Sequence, residues 1–283
     1  MTARDWTRHD AARTLRRPTD DDDKYSRGVV GMRTGSVRYP GAAVLGVEAA
    51  WRTGTGMVRY VGPARAQDFV LQRRPETVTA DGRVQAWVIG SGTDAAERET
   101  AETAALRGIL SGEVPVVADA GALDLVPAAS APVIVTPHAR ELAKLREAMG
   151  LPSATASGDD ARARVAQETA EALGGVVLSK GAVTIVAAPG GWLRRIDTGT
   201  PWLATAGTGD VLGGVLGAVT AGAVAAGRTS LADLASCAAT AAWLHGTAGS
   251  TAAARHGAAG GPVTALDVAE ALPRVMAEVL GEE

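Results

Sequence analysis

Six short β-branched runs, at 27–31, 57–61, 84–90, 114–118, 133–136 and 176–179, mostly lack the alternation of apolar and polar residues expected of a strand with one wet face. Strands of that kind are covered on both sides, as in a parallel sheet packed between helices. Helical patterns fall between or after them at 42–52, 93–110, 140–149 and 159–173. The last of these has Ser157, Asp159 and Asp160 as capping candidates and Gly174-Gly175 as a stop. Runs at 183–187 and 192–196, joined by Pro189-Gly190-Gly191, read as a meander at the sheet edge, and 151–158 reads as a surface connection. The remainder is helical, at 211–226, 231–249 and 266–279. Strand and helix taking turns in this way specify an α/β fold, a mostly parallel sheet with helices on both faces.

The chain of 283 residues suits a single unit with one large core, taken as 24–283. Ahead of it, Arg4, Asp5, Arg8, His9, Asp10 and Arg13 have no apolar run behind them, so 1–23 reads as a mobile arm lacking the core of a secretory signal. Asp20 to Asp23, followed by Lys24, form a charge run expected in a solvated loop. The 35 glycines, against one phenylalanine, point to tight turns and closely packed helices. A formal charge of -3 offers no basic surface for nucleic acid, so phosphate has to be bound by local geometry. Cys237 is alone, which precludes an internal disulfide and fits a reducing cytoplasm.

Thr205-Ala206-Gly207-Thr208-Gly209-Asp210 runs straight into 17 uncharged residues, 211–227. That stretch is shorter than the roughly 20 residues of a membrane span and carries glycine on several faces, so it is expected as a buried core helix with no membrane partner. Unpaired N–H groups in a helix's first turn, with the positive end of the dipole behind them, attract phosphate, and glycine lets the phosphate come close. Asp210 then either stands beside a bound phosphoryl group or caps the helix. Ligands of open sheets gather at the carboxyl ends of the strands. The loops expected at that edge are 39–43, 90–94, 119–123, 136–138, 180–184 and the glycine turn itself.

Six blocks recur along the chain in a specific order. They are Lys24-Tyr25-Ser26-Arg27-Gly28; Tyr39-Pro40-Gly41-Ala42-Ala43 with 49–56; Val117-Ala118-Asp119-Ala120-Gly121-Ala122-Leu123; Val133-Ile134-Val135-Thr136-Pro137-His138; Lys180-Gly181; and 199–212 around the glycine turn. In this order, from about Lys24 to Pro273, they resemble the ADP-dependent NAD(P)H-hydrate dehydratase family, repair enzymes of ribokinase-like fold that restore hydrated nicotinamide cofactors.

The resemblance implies a three-layer αβα sandwich and a reaction in which ADP gives its β-phosphoryl group to the hydroxyl of hydrated NADH or NADPH. Loss of phosphate then restores the cofactor and leaves AMP. By resemblance Asp210 accepts the hydroxyl proton, and Gly207, Thr208 and Gly209 hold the phosphoryl. Lys180, Gly181, Ala182, Val183 and Thr184 match the adenine-nucleotide segment. Ala42, Ala43, Gly90, Gly92 and His138 match contacts to the hydrated cofactor. Read without the family, Lys180 is a solvated strand-end charge, His138 a hydrogen-bonding helix start, Ala42 and Ala43 an ordinary helix start, and the two glycines a plain turn. The family also implies Mg2+, a cytoplasmic setting and a homo-oligomer, by resemblance a homotetramer, with the alanine-rich helices of 211–249 as a candidate interface. Metal ligands stay unassigned: Asp119 and Asp124 either orient Mg2+ through water or form turns.

The chain departs from the family pattern at Gly31 to Ser36, at Gly90 to Asp94, at Ala139-Arg140-Glu141 and at 197–201. Arg33 and Arg140 stand near the expected mouth, as extra phosphate contacts or as rim charges. Two other functions share the glycine turn: an ATP-dependent ribokinase-like kinase of a vitamin precursor or sugar, and a non-catalytic nucleotide-binding protein. A sensor needs the glycines but not Asp210.

Overall fold

The computed structural model describes residues 3–154, 156 and 158–281; Ser157 lies outside them. Nine strands form one sheet among the described residues: β1 (Arg4–Asp5), β2 (Val29–Arg33), β3 (Met57–Tyr60), β4 (Ala86–Ile89), β5 (Val116–Ala118), β6 (Val133–Val135), β7 (Val176–Ser179), β8 (Thr184–Ala188) and β9 (Trp192–Ile196). Their order is β1-β9-β8-β7-β6-β5-β4-β2-β3, and β8 alone runs antiparallel to its neighbours. Parallel strands need crossover connections of about a dozen residues or more, and the helices within them cover the faces of the sheet.

Side chains of successive strand residues go to opposite faces. Val30, Met32, Val88, Ile134 and Leu178 join one core with helices α1 (Arg8–Thr14), α2 (Gly41–Arg52), α7 (Thr208–Ala225), α8 (Leu231–Ala254) and α9 (Ala265–Leu280). Ile89, Val116, Val133, Val135 and Val177 join the other with α4 (Thr100–Leu110), α5 (Ala139–Ala148), α6 (Asp159–Leu173) and a 3-10 helix at Ala120–Ala128. The expected three layers are therefore present. Helix α3 (Ala64–Arg73), which lies outside the expected helical patterns, adds Ala66 and Val70 to the first core.

Helix α7 is long and apolar enough to cross a membrane by composition, with a mean hydropathy of 1.4, but 72% of it is buried inside the protein. Its glycines explain how. A Cβ on Gly214 would fall 2.1 Å from the Gly46 carbonyl oxygen of α2, so the two helices touch through their backbones. The small faces of α7 and α8 are thus largely used within the chain, against α2, α9 and each other.

The segment ahead of Lys24 differs from the expected arm. Strand β1 pairs with β9, and α1 lies over α8 with Ala11 fully buried. The apolar residues are few but share one side: the Trp6 indole donates to Thr240 Oγ1 at 3.2 Å and its ring lies 5.8 Å from that of Trp192. Two helix starts also differ. Gly158, with φ 81, and not an acid, occupies the N-cap of α6, leaving Asp159 and Asp160 in its first turn. Helix α4 begins at Thr100, seven residues later than the pattern at 93–110 suggested, because 93–99 turns back against the 119–121 loop.

Candidate active site

The carboxyl ends of the parallel strands bring together the loops expected from the sequence. Helix α7 starts at Thr208, three residues earlier than the apolar run alone indicates. Gly207 is its N-cap, in the left-handed region at φ 89, and no side chain caps the first turn. The cap reading of Asp210 therefore fails: Asp210 is the third residue of the helix and its side chain is free of the capping role. Unpaired first-turn N–H groups and the helix dipole make this turn suited to an anion.

Asp210 is half-buried. Burial, and then the negative charge of Asp119, push its carboxyl up to about 6, against the opposing pull of the Lys180 ammonium. Lys180 leaves the end of β7 and its Nζ donates to Asp119 Oδ1 at 2.8 Å, with Glu141 Oε2 at 3.7 Å. Burial opposes its charge, but Asp119 and Glu141 outweigh burial and hold its pKa above the ordinary value. A Cβ on Gly209 would lie 3.9 Å from that nitrogen, so the ammonium faces the glycine turn. The reading of Lys180 as a merely solvated charge does not survive this geometry.

A cavity of about 670 Å³ opens on the same turn, bounded by Lys180 to Ala182, Thr184, Ile196 to Pro201, Thr208, Gly209 and His245. Its size falls within the range of small-molecule sites. The 180–184 segment is held by Arg162 of α6, whose guanidinium donates to Val183 O at 2.7 Å, Ser179 O at 3.2 Å and Lys180 O at 3.3 Å. A Cβ on Gly181 would fall 2.4 Å from the Arg162 guanidinium and displace that side chain.

On the other side of the turn the expected cofactor contacts separate. Ala42 and Ala43 are buried at 7% and 0% exposure at the start of α2. Gly92 (φ 68) presses on Ala42, and Gly90 (φ 92) lies against the Asp119 carbonyl, where a Cβ would come within 2.1 Å. These four residues bring the 35–43, 90–93 and 119–122 loops into contact. His138 is half-exposed and is the N-cap of α5: its Nδ1 accepts from the Arg140 N–H at 3.1 Å and the Glu141 N–H at 3.3 Å, while Glu141 accepts from the His138 N–H at 2.8 Å. Arg33 is tied to Glu102 at 2.6 Å and to Val61 O at 2.7 Å, so it is not available as a phosphate contact; Arg140 is exposed. Asp124 pairs with Arg98 at 2.7 Å, which fits a structural role for it and not one in orienting a metal.

Two residues at the site have surroundings the sequence does not reveal. Asp119, expected as a turn former or as a group orienting Mg2+ through water, is buried between Ser91, Thr136 and Lys180. His245 was not singled out. Burial holds its imidazole down to about 4, so it is neutral at ordinary pH; it hydrogen-bonds the Thr208 backbone, and its Nε2 has no protein partner. The available signal was a lone histidine in the alanine-rich stretch 231–249.

The NAD(P)H-hydrate dehydratase family profile matches residues 30–274. The bifunctional NAD(P)H-hydrate repair enzyme Nnr of Mycobacterium tuberculosis is 44% identical over 225 residues, covering 75% of this chain and 45% of that protein. The chain thus spans a little under half the length of that two-activity relative. The ADP-dependent (S)-NAD(P)H-hydrate dehydratase of Neisseria meningitidis serogroup B is 32% identical over 248 residues, covering 81% of this chain and 78% of its own. Among solved structures, the ADP/ATP-dependent NAD(P)H-hydrate dehydratase of Bacillus subtilis, crystallised with ATP and Mg2+, superposes with a TM-score of 0.81 at 26% identity and covers 99% of both chains.

Proposed function

Because this chain belongs to the NAD(P)H-hydrate dehydratase family, we propose that it dehydrates (6S)-hydrated NADH and NADPH at the expense of ADP, restoring NAD(P)H and releasing AMP and phosphate. The observation that carries this reading is the uncapped first turn of α7, which opens on the cavity beside Lys180 with an acid of raised pKa in that same turn.

Hydroxide is a poor leaving group, and phosphorylation converts the ring hydroxyl into a good one. Asp210 takes the hydroxyl proton as the oxygen attacks the β-phosphorus of ADP, and the bond to the AMP oxygen breaks. The ring nitrogen lone pair then expels phosphate from carbon, and loss of a proton from the neighbouring carbon restores the double bond. The protein's main tasks are to align two ligands and to stabilise charge on the phosphoryl group in transit. The N–H groups of Gly207, Thr208 and Gly209 supply that stabilisation, and the Lys180 ammonium supplies positive charge from the opposite side. A carboxyl near 6 is well matched to accept a proton at neutral pH, where a normal aspartate is too weak a base.

The residues present do not form a protein cage for Mg2+. Among the described residues no group of three or more His, Cys, Asp or Glu side chains converges, and both oxygens of Asp119 are engaged by Lys180, Thr136 and Ser91. An ion brought in with the nucleotide would be held by phosphate oxygens and water, as Mg2+ commonly is. The 180–184 segment would then receive the nucleotide, and the loops at Ala42, Ala43, Gly90, Gly92 and His138 the hydrated cofactor. The same reading places the protein in the cytoplasm as a homo-oligomer, with no nucleic-acid or membrane partner.

The test is incubation with hydrated NADH and ADP in a magnesium buffer, following absorbance of the restored dihydronicotinamide and chromatography of AMP. Equimolar NADH and AMP are expected, and Asp210→Asn should lower kcat by about 100-fold or more. A stable phosphorylated product formed from ATP on some other small molecule, with hydrated NADH untouched, would mean a kinase instead.

A further inference from the structure

We propose that Asp119 is a positioning residue that holds the Lys180 ammonium against the glycine turn and so links the nucleotide side of the site to the cofactor side. This rests on the dehydratase reading of the same site.

The geometry is unusually constrained. Asp119 is 5% exposed and follows β5 directly. Its Oδ1 accepts from Lys180 Nζ at 2.8 Å and from Thr136 Oγ1 at 2.8 Å; its Oδ2 accepts from Ser91 Oγ at 3.1 Å. Those partners come from the ends of three other strands, β4, β6 and β7, on two of which sit the expected cofactor loops and on the third the nucleotide segment. The next residue, Ala120, is the only non-glycine residue with positive φ among the described residues, at 44°. A left-handed backbone at alanine costs about 1 kcal/mol or more and persists where the surroundings over-determine it. Gly90 packs directly on the Asp119 carbonyl. The backbone on both sides of the carboxylate is therefore locked, and a strained turn is retained where it aims a charge.

Without that carboxylate, the ammonium has two acceptors left, Glu141 at 3.7 Å and the Asp210 carboxylate whose charge it already feels. Asp119 thus separates the cation that meets phosphate from the base that must stay free for the hydroxyl proton. The charged and titratable groups around Asp210 are Asp119 from the loop after β5 and Lys180 from the end of β7, with Glu141 of α5 reached through Lys180 and the neutral His245 of α8 beyond it.

The experiment is a double-mutant cycle of Asp119→Asn and Lys180→Met, read in two ways. The first is ADP affinity by calorimetry, which needs no turnover. Each single variant should weaken ADP by about tenfold, and the double variant should bind no more weakly than Lys180→Met alone. The second is the acid limb of kcat/KM for hydrated NADH. Removing Asp119 takes a like charge away from Asp210 and should move the limb to lower pH; removing Lys180 takes away an opposite charge and should move it to higher pH. A merely structural Asp119 would loosen the site in both variants alike, so limbs moving in the same direction, or effects on ADP affinity that multiply, would overturn the proposal. If Asp119→Asn does not fold, Thr136→Val replaces it in the affinity cycle: it should weaken ADP in the wild-type background and have no effect beside Lys180→Met, and an equal effect in both backgrounds would count against the proposal. Should the wild-type protein bind ADP but leave hydrated NADH unchanged, the dehydratase reading falls while the affinity cycle still decides the role of Asp119.

Discussion

Gly92 and Ala42 are packed so closely that a Cβ built on Gly92 would lie 2.3 Å from that of Ala42, with the Tyr39 carbonyl oxygen at 3.1 Å. The loop after β4 and the start of α2 can approach this closely only if one of them has no side chain. Gly92 also has φ 68, which an alanine adopts at a cost. Gly92→Ala should therefore destabilise the protein by about 2 kcal/mol and, on the proposed assignment of this loop to the hydrated cofactor, raise KM for hydrated NADH more than KM for ADP. Urea unfolding and steady-state kinetics with each ligand varied check both parts. Equal changes in the two KM values would show that the loop does not belong to one ligand alone.

On the proposed role of Asp210 as the base, its raised carboxyl should set the acid side of the pH profile. A base must be deprotonated in the free enzyme, so kcat/KM should fall by about tenfold for each pH unit below about 6 and be level above it. His245 contributes nothing to this limb, because its imidazole is already neutral down to about 4. A profile of kcat/KM between pH 5 and 8 is sufficient. An acid limb near 4 would mean that Asp210 titrates like an exposed aspartate and that burial has little influence on it.

Glu48 lies in α2 with no side-chain exposure, bound by Arg52 at 2.7 Å and by Arg73 and Arg74, the last at both oxygens. Burial works against its charge, yet Arg74 and Arg52 carry its pKa down to about 2. A carboxylate with a lowered folded pKa stabilises the fold above its unfolded value, and that contribution is lost as pH falls toward the folded one. Glu48→Ala should cost about 3 kcal/mol at pH 7, because it leaves three guanidinium groups facing a buried gap. At pH 3 the difference from wild type should be smaller. Urea midpoints of both proteins at the two pH values measure it, and a constant difference would assign the effect to packing instead of charge.

Features that lie within one stretch of sequence were legible. The β-branched runs announced the strands because both faces of the sheet are dry, and Gly207 to Asp210 announced a helix start at a glycine turn because glycine supplies the left-handed N-cap there. Lys180 was found for a similar reason, as the end of a strand that the meander then reverses. Asp119 was undervalued because its partners Ser91, Thr136 and Lys180 come from the ends of three other strands, a closeness created only when β4 to β7 align. His245 went unseen because its role depends on α8 packing against α7, so that its ring reaches Thr208. Residues 3–15 misled for a different reason: their charges dominate the composition, while Trp6, Ala11 and Leu15 anchor one narrow side.

The pairing of Arg4 and Asp5 with Arg194 and Arg195 has a consequence for how the molecule behaves among its own kind. An open β-edge is a template on which another chain can grow. Here the outermost rung is two residues long and carries both signs of charge, with Asp5 held by Arg195. Such a rung offers an incoming ribbon little length on which to pair, so this edge of the sheet is a poor template for lateral growth.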